Sequence, residues 1–314
     1  MSEAEHPGTL IVAGARGVVG QCLIAHARGL GWRVRVLSRR PGFPEPCVSV
    51  TTWDPSRQAR AGDAALSSLV AFLEGGDLLV NLAGTSVADG RMRGRHRRQI
   101  LESRVDATQT LVRAHGLCEA PPPVVISGSA TGFYGDRGEE DLDESSPAGG
   151  GFLAAVCRRW EEAAHGFEGR ARLVRARLGV VFAEQAPAWK RLVLPLRLGV
   201  GGPLGSGRQW WSWIDGRDLA RALLFAQACP ELSGPVNFTA PEPVRQGDLT
   251  QQIATLLGRP ALCSPPLTLL RLALGDVPDE LLLPSVRALP RKLEAAGFRW
   301  DAPHVGRQLL TLLA

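Results

Sequence analysis

Tyrosine and lysine are scarce in this chain. Tyr134 is its one tyrosine, and Lys190 and Lys292 are its only lysines. No tyrosine is followed four residues later by a lysine, so proton transfer through a Tyr-x-x-x-Lys pair is excluded. Cysteine is thin as well. Cys22, Cys47, Cys118, Cys157, Cys229 and Cys263 are scattered without a CxxC pair. They predict buried thiols rather than a disulfide frame or a metal site. No window approaches the roughly 18 to 20 apolar residues of a membrane span. The opening Met1-Ser2-Glu3-Ala4-Glu5-His6 is polar and lacks a signal-peptide core. A cytoplasmic protein without membrane association is therefore expected. Repeats and low-complexity tracts are also missing.

The net charge is +5, and its positive side is almost all arginine. The densest run is Arg91-Met92-Arg93-Gly94-Arg95-His96-Arg97-Arg98. A nucleic-acid surface would interleave aromatics with these charges. None are present, so the run predicts a solvated helix start and no nucleic-acid partner. Some of its arginines could still face an anionic small molecule. The 314 residues suffice for a core of ordinary size and two unequal lobes.

What is present begins at Thr9-Leu10-Ile11-Val12-Ala13, an apolar run that enters Gly14-Ala15-Arg16-Gly17-Val18-Val19-Gly20. Three glycines at this spacing behind a strand predict a dinucleotide-binding turn. The first allows the tight turn, the second admits a pyrophosphate and the third lets helix and strand pack closely. Residues 21–30 are apolar at helical spacing and end at Gly31, and Arg33-Val34-Arg35-Val36-Leu37 alternates as a strand. This makes a βαβ unit of about thirty residues. Where an NAD site places an acid, the chain has Ser38-Arg39-Arg40. Arginine bonds a 2′-phosphate that an acid would repel, which predicts NADP(H) held by Ser38 and Arg39, with Arg16 and Arg40 nearby.

Further strands are predicted at 48–53, 78–82, 124–127 and 173–178, and helices at 63–73, 94–115 and 151–167. The alternation predicts an α/β fold with a doubly wound parallel sheet of Rossmann type. The pattern turns irregular and Gly-rich from Ala183, then returns to helix and strand at 219–228 and 236–238. The expected division is a nucleotide-binding domain over 1–182, completed by about 215–239. A smaller, mainly helical lobe for the substrate would span 183–214 and 240–314.

Two stretches make a family likeness specific: Asn81-Leu82-Ala83-Gly84, and Ser127-Gly128-Ser129-Ala130-Thr131-Gly132-Phe133-Tyr134-Gly135-Asp136. With Gly201 to Trp210, Asn237 to Val244 and Ala288 to Phe298, the chain resembles the extended short-chain dehydrogenase/reductases. Within them it is similar to the atypical, SDR39U1-like branch of epimerase family proteins with a C-terminal helical domain. The resemblance implies a Rossmann fold and bound NADP(H), and leaves the substrate open. It implies that Asn81, Leu82, Ala83 and Gly84 line the cofactor. Asp54, in Trp53-Asp54-Pro55, would either contact the adenine side or simply form a turn. Ser129 matches the serine that bonds a substrate oxygen.

The resemblance puts the missing tyrosine and lysine on the helix that begins near Phe152. Leu153 or Ala154, then Cys157 or Arg158, fill those slots. The remaining catalytic candidates are Ser129 and Tyr134, the latter also readable as a structural hydroxyl. Cys157 reads as a buried thiol or an alternative acid. Asp136, Glu139 and Glu140 read as a solvated acidic loop. Trp210 and Trp211, with Arg208 beside them, are candidates for a substrate wall that grips an anionic or nucleotide-linked group. Two readings follow: an NADP(H)-dependent oxidoreductase or epimerase-like enzyme of atypical mechanism, or a non-catalytic NADP(H)-binding sensor or partner-binding protein. Pairing of two copies through the helices at 94–115 and 151–167 is left open.

Overall fold

The computed structural model describes residues 7–43, 49–88 and 90–313. Strand β1 (Thr9–Ala13) is buried along its length and runs through a tight turn into helix α1 (Val18–Gly29). Gly14 is required by this turn. Its φ is +86°, and a Cβ there would lie 2.5 Å from the Leu82 backbone. Strands β2 (Arg33–Ser38) and β3 (Ser49–Thr52) follow. Val48, the first residue of the expected strand, and Cys47 lie outside the described residues.

Helices α2 (Pro55–Gln58) and α3 (Ser67–Leu73) precede β4 (Leu78–Asn81), and the long α4 (Gly94–Leu117) leads to β5 (Val124–Ala130). After the short β6 (Asp141–Leu142), α5 (Phe152–Ala164) connects to β7 (Arg172–Leu178). The chain then leaves the sheet through β8 (Val180–Phe182), α6 (Pro187–Arg197), β9 (Trp210–Trp211) and β10 (Trp213–Asp215). It returns with α7 (Gly216–Ala228) and β11 (Gly234–Phe238). The last elements are β12 (Val244–Arg245), α8 (Gln246–Leu256), α9 (Leu267–Leu274), β13 (Arg287–Ala288), α10 (Arg291–Ala295) and α11 (Val305–Leu313).

The main sheet has seven strands in the order β3-β2-β1-β4-β5-β7-β11, every pair parallel. Alternate residues face opposite sides. Leu10, Val12, Val36 and Val80 pack under α1 and α7, while Ile11, Ala13, Leu79 and Val125 pack under α3 and α4. This is the predicted doubly wound arrangement, hydrophobic on both faces because helices cover both. Strand order reverses between β1 and β4, so a crevice opens there beyond the carboxyl ends of the strands.

A separate apolar cluster joins Phe182, Trp189, Trp211, Trp213, Leu249 and Leu309 from β8, α6, β9, β10, α8 and α11. Phe182 and Trp213 stack with ring centroids 5.5 Å apart. The tail of the chain divides its allegiance. Leu293 and Phe298, placed by sequence in the smaller lobe, pack into the core beside α7 and β11.

Two expectations are corrected here. The arginine run is not merely solvated: Arg97 reaches Asp276 at 2.8 Å and Glu280 at 3.6 Å, and Arg91 donates to the Ala273 carbonyl. It fastens the start of α4 to the α9 region. The thiols are not uniformly buried either. Cys118 and Cys157 are, whereas Cys22 and Cys229 are half-buried and Cys263 is exposed. No helix among the described residues is long and apolar enough to cross a membrane.

Candidate functional site

The glycine turn separates fold from function residue by residue. A Cβ on Gly20 would meet Gly14 O and Ala15 Cα at 2.7 Å, so close packing demands glycine there. Gly17 differs. Its φ is −73°, and a Cβ would meet only Gly14 O, at 3.4 Å. Neither backbone nor packing requires its bareness; the cradle is open toward solvent. Gly17 also caps α1 without a side-chain hydrogen bond, and the first-turn N–H groups of Val18, Val19 and Gly20 have no partner among the described residues. Free N–H groups and the helix dipole favour an anion at this point.

The end of β2 adds a basic flank. Arg16 Nε donates to Ser38 Oγ at 3.3 Å, its Nη2 donates to Gly42 O at 2.6 Å, and the Arg40 N–H donates to Ser38 Oγ at 3.2 Å. Arg39 and Arg40 are exposed beside them. The set suits a phosphate monoester next to a pyrophosphate.

Other expected contacts turn inward. Asn81 is fully buried: its Nδ2 donates to Thr108 Oγ1 at 2.9 Å and its Oδ1 accepts from Ala83 N. It shapes the loop of Leu82, Ala83 and Gly84 rather than facing a ligand. Asp54 caps α2 by accepting from Ser56 N and Arg57 N, which realises its turn-forming alternative. These bonds hold its carboxyl below the usual range, the Ser56 hydroxyl foremost.

Ser129 is also corrected as a substrate contact, and Tyr134 takes its structural alternative. Ser129 is 2% exposed and donates to Glu161 Oε1 at 2.7 Å. Glu161 forms a two-point pair with Arg177, at 2.9 and 3.0 Å. Arg177 in turn donates to the Tyr134 hydroxyl at 3.0 Å. That hydroxyl has two acceptors for its single proton, Asn237 Oδ1 at 2.7 Å and Asp143 O at 2.8 Å, and burial pushes it up to about 12. Both hydroxyls are used up inside a closed network, so neither is offered to a substrate. Sequence reading missed Glu161 and Arg177 because they meet only through the pairing of β5 with β7 and the lie of α5.

Beyond the carboxyl ends of β5 and β7 lies a cleft of about 900 Å³ that starts at Val18 of the glycine turn. Leu153 and Cys157 stand on its wall, where the resemblance places the tyrosine and lysine, and Arg158 points to solvent. Burial pushes the Cys157 thiol up to about 11. Much of the rest is apolar, including Ile100, Val156, Leu196, Leu270, Leu274 and Val277. Trp210 and Trp211 line it as expected, but their N–H groups are taken by Glu139 and Leu282 O. Glu139 also pairs with Arg245, so the acidic loop docks rather than floats. Arg208 is exposed and off the cleft wall, its carbonyl accepting from Arg245.

Most other polar linings are satisfied internally. Glu280 accepts from Phe152 N and Leu153 N, Asp279 pairs with Arg271, Asp136 accepts from Ser285 N, and Ser212 donates to Val286 O. Two are not. Thr131 lines the cleft with its hydroxyl unpartnered among the described residues. Arg104 lines it too, donating only to the Thr85 and Ile100 carbonyls and lying 5.1 Å from the Trp160 ring centroid. Burial draws its guanidinium below the ordinary arginine value. A signal for it existed: Arg104 falls on the same α4 face as Ile100, Ala107 and Leu111, all buried.

Residues 10–237 match the NAD dependent epimerase/dehydratase family, and residues 266–309 match a domain of unknown function, DUF1731. An epimerase family protein of Mycobacterium bovis is 36% identical over 95% of both chains. The epimerase family protein SDR39U1 of Bos taurus is 32% identical over 97% of this chain and 99% of its own. The crystal structure of human epimerase family protein SDR39U1 with NADPH superimposes with a TM-score of 0.85 at 28% identity, covering 97% of this chain and 98% of that one. With its parallel sheet, glycine turn and cleft in place, this chain belongs to the NAD dependent epimerase/dehydratase family.

Proposed function

We propose that the chain is an NADP(H)-dependent oxidoreductase or epimerase-like enzyme that works without a Tyr-Lys pair. One observation carries the proposal: an open glycine cradle with a basic flank leads directly into a large cleft. The NADPH in the human relative's structure supports the choice of cofactor. In this reading Gly17, Val18 and Val19 hold the pyrophosphate through backbone N–H groups. Ser38, Arg39, Arg40 and Arg16 hold the 2′-phosphate, and the loop of Leu82, Ala83 and Gly84 flanks the ribose. The nicotinamide supplies or accepts hydride when bound. Thr131, a cleft-lining residue whose hydroxyl has no partner among the described residues, orients the substrate oxygen and relays a proton between it and water, toward the oxygen on reduction and away from it on oxidation. Leu153 and Cys157 exclude water from the reacting face; the thiol stays protonated at neutral pH.

Titration with NADPH, NADP, NADH and NAD tests the cofactor. Tight NADPH binding, with a preference over NADH that collapses in Arg39→Ala, is expected. NADPH oxidation across a carbonyl panel then tests turnover, which Thr131→Val should lower by about tenfold or more. Failure to bind any dinucleotide overturns the proposal.

A second reading, a non-catalytic NADP(H)-responsive binding protein, draws on the enclosure of Ser129 and Tyr134. It expects tight binding without turnover, and different affinities for oxidised and reduced cofactor, since only differential binding shifts a conformational balance.

A further inference from the structure

We infer that the cleft takes a substrate with an apolar body and a single anionic or carbonyl head seated at Arg104, rather than a sugar nucleotide. The inference rests on the reading of this cleft as the site that faces the cofactor, and it names the substrate class.

The first argument is hydrogen-bonding capacity. A sugar brings many hydroxyls, and each loses water on entering a cavity. The cleft must replace those bonds, yet its carboxylates, its indole N–H groups and Ser212 are already engaged within the protein. The side chains least committed to partners are the Thr131 hydroxyl and the Arg104 guanidinium, with Arg191 also on the wall and donating to Ala88 O. Two or three polar groups fix the orientation of an apolar molecule; they do not satisfy a sugar ring.

The second argument is charge. Arg104 forms no ion pair among the described residues, although it is enclosed between α4, Trp160 and the cleft. Arg177, more deeply buried, is matched by Glu161. A half-buried cation without a counter-charge has lost part of its hydration uncompensated, and an anionic head entering the cleft would supply the missing charge.

The third argument is the route in. Val200 lines the cleft and is itself 61% exposed. Leu194 on α6, Leu198 just past its end, and Leu269 and Leu272 on α9 are exposed, while other residues of these two helices line the cleft. Val200 thus carries apolar surface from the cleft wall to the outside, and the same two helices bear further apolar side chains on their outer faces.

The test uses the full-length protein and a fluorescent long-chain fatty acid, cis-parinaric acid, with UDP-glucose as competitor. Saturable one-to-one binding that UDP-glucose does not displace is expected. Arg104→Gln should weaken it by about tenfold or more, and Arg104→Lys by much less, because a charged hydrogen bond is worth that much. Leu270→Asn, at the half-exposed mouth, should also weaken it and guards against misfolding of the Arg104 variants. Displacement by UDP-glucose, absence of fatty-acid binding, or unchanged affinity in a folded Arg104→Gln overturns the inference. NADPH titration of the same wild-type sample keeps the two readings apart. Loss of this inference alone leaves NADPH binding intact, whereas failure of the cofactor reading removes it.

Discussion

Two polar regions lie along one face of helix α5 and are built in opposite ways. Toward its C-terminal end Glu161 holds Ser129 and Arg177, and Arg177 holds the Tyr134 hydroxyl; every group has a partner. Toward its N-terminal end Leu153 and Cys157 line the cleft with Thr131 and Arg104; the Thr131 hydroxyl has no partner and the Arg104 cation no counter-charge among the described residues. The contrast teaches that residue type does not mark a functional group in this protein. Serine, tyrosine and arginine occur in the closed network, and what distinguishes the cleft is hydrogen-bonding capacity left unspent.

The largest effect that could break this comparison lies in the closed region. Glu161→Leu strands the Arg177 charge and should cost about 3–5 kcal/mol in denaturant unfolding. Adding Arg177→Met should restore a large part of that loss; no recovery would mean the pair is not what holds the region.

The glycine turn gives a sharper test of the same idea. Gly20→Ala forces a Cβ to 2.7 Å from backbone and should destabilise by about 1–3 kcal/mol. Gly17→Ala should leave stability within about 0.5 kcal/mol. It should nevertheless weaken NADPH binding by about tenfold, since only the ligand needs that space. Equal behaviour of the two variants in both assays would remove the distinction between fold and cradle.

A smaller effect is expected at Tyr134. Tyr134→Phe leaves Arg177 and Asn237 short of a partner and should cost about 1–3 kcal/mol. Turnover per folded molecule should hold; a collapse of turnover with stability intact would return Tyr134 to the reaction.

Near neutral pH the last contrast is silent, and it emerges only in alkali. Tyr134 is pushed from 10.0 to about 12 and Cys157 from 9.0 to about 11, both chiefly by burial. These acids are neutral in the fold and ionise more readily when unfolded. Their contribution is therefore fully present below about pH 9 and is lost as pH rises toward 11 to 12. Melting temperature should fall over that range, and fall less in Tyr134→Phe than in the parent when each is compared with its own neutral value.

Local pattern made much of the fold legible. The strand, glycine turn, helix and second strand of residues 9–38 are contiguous, and glycine spacing records a steric need that acts within a few residues. The basic end of β2 could be read for the same reason. Asp54 and Asn81 were less legible, because each has a local hydrogen-bond partner that only coordinates reveal. Sequence pattern points to Arg208 and passes over Arg104. Arg208 stood in a motif and proved exposed; Arg104 stood in an arginine-rich helix, and its place on the apolar face was masked by the charges around it.

By itself the sequence determined the parallel sheet, the dinucleotide turn, the basic flank and the lack of a Tyr-Lys pair, all consequences of short-range sterics, periodicity and composition. Only the tertiary structure decided which hydroxyls are spent and which are offered. That choice depends on residues far apart in the chain, such as Tyr134 with Asn237 and Ser129 with Glu161. A hydrogen bond is satisfied by whatever group folding brings within about 3 Å, and no local pattern records which group that will be.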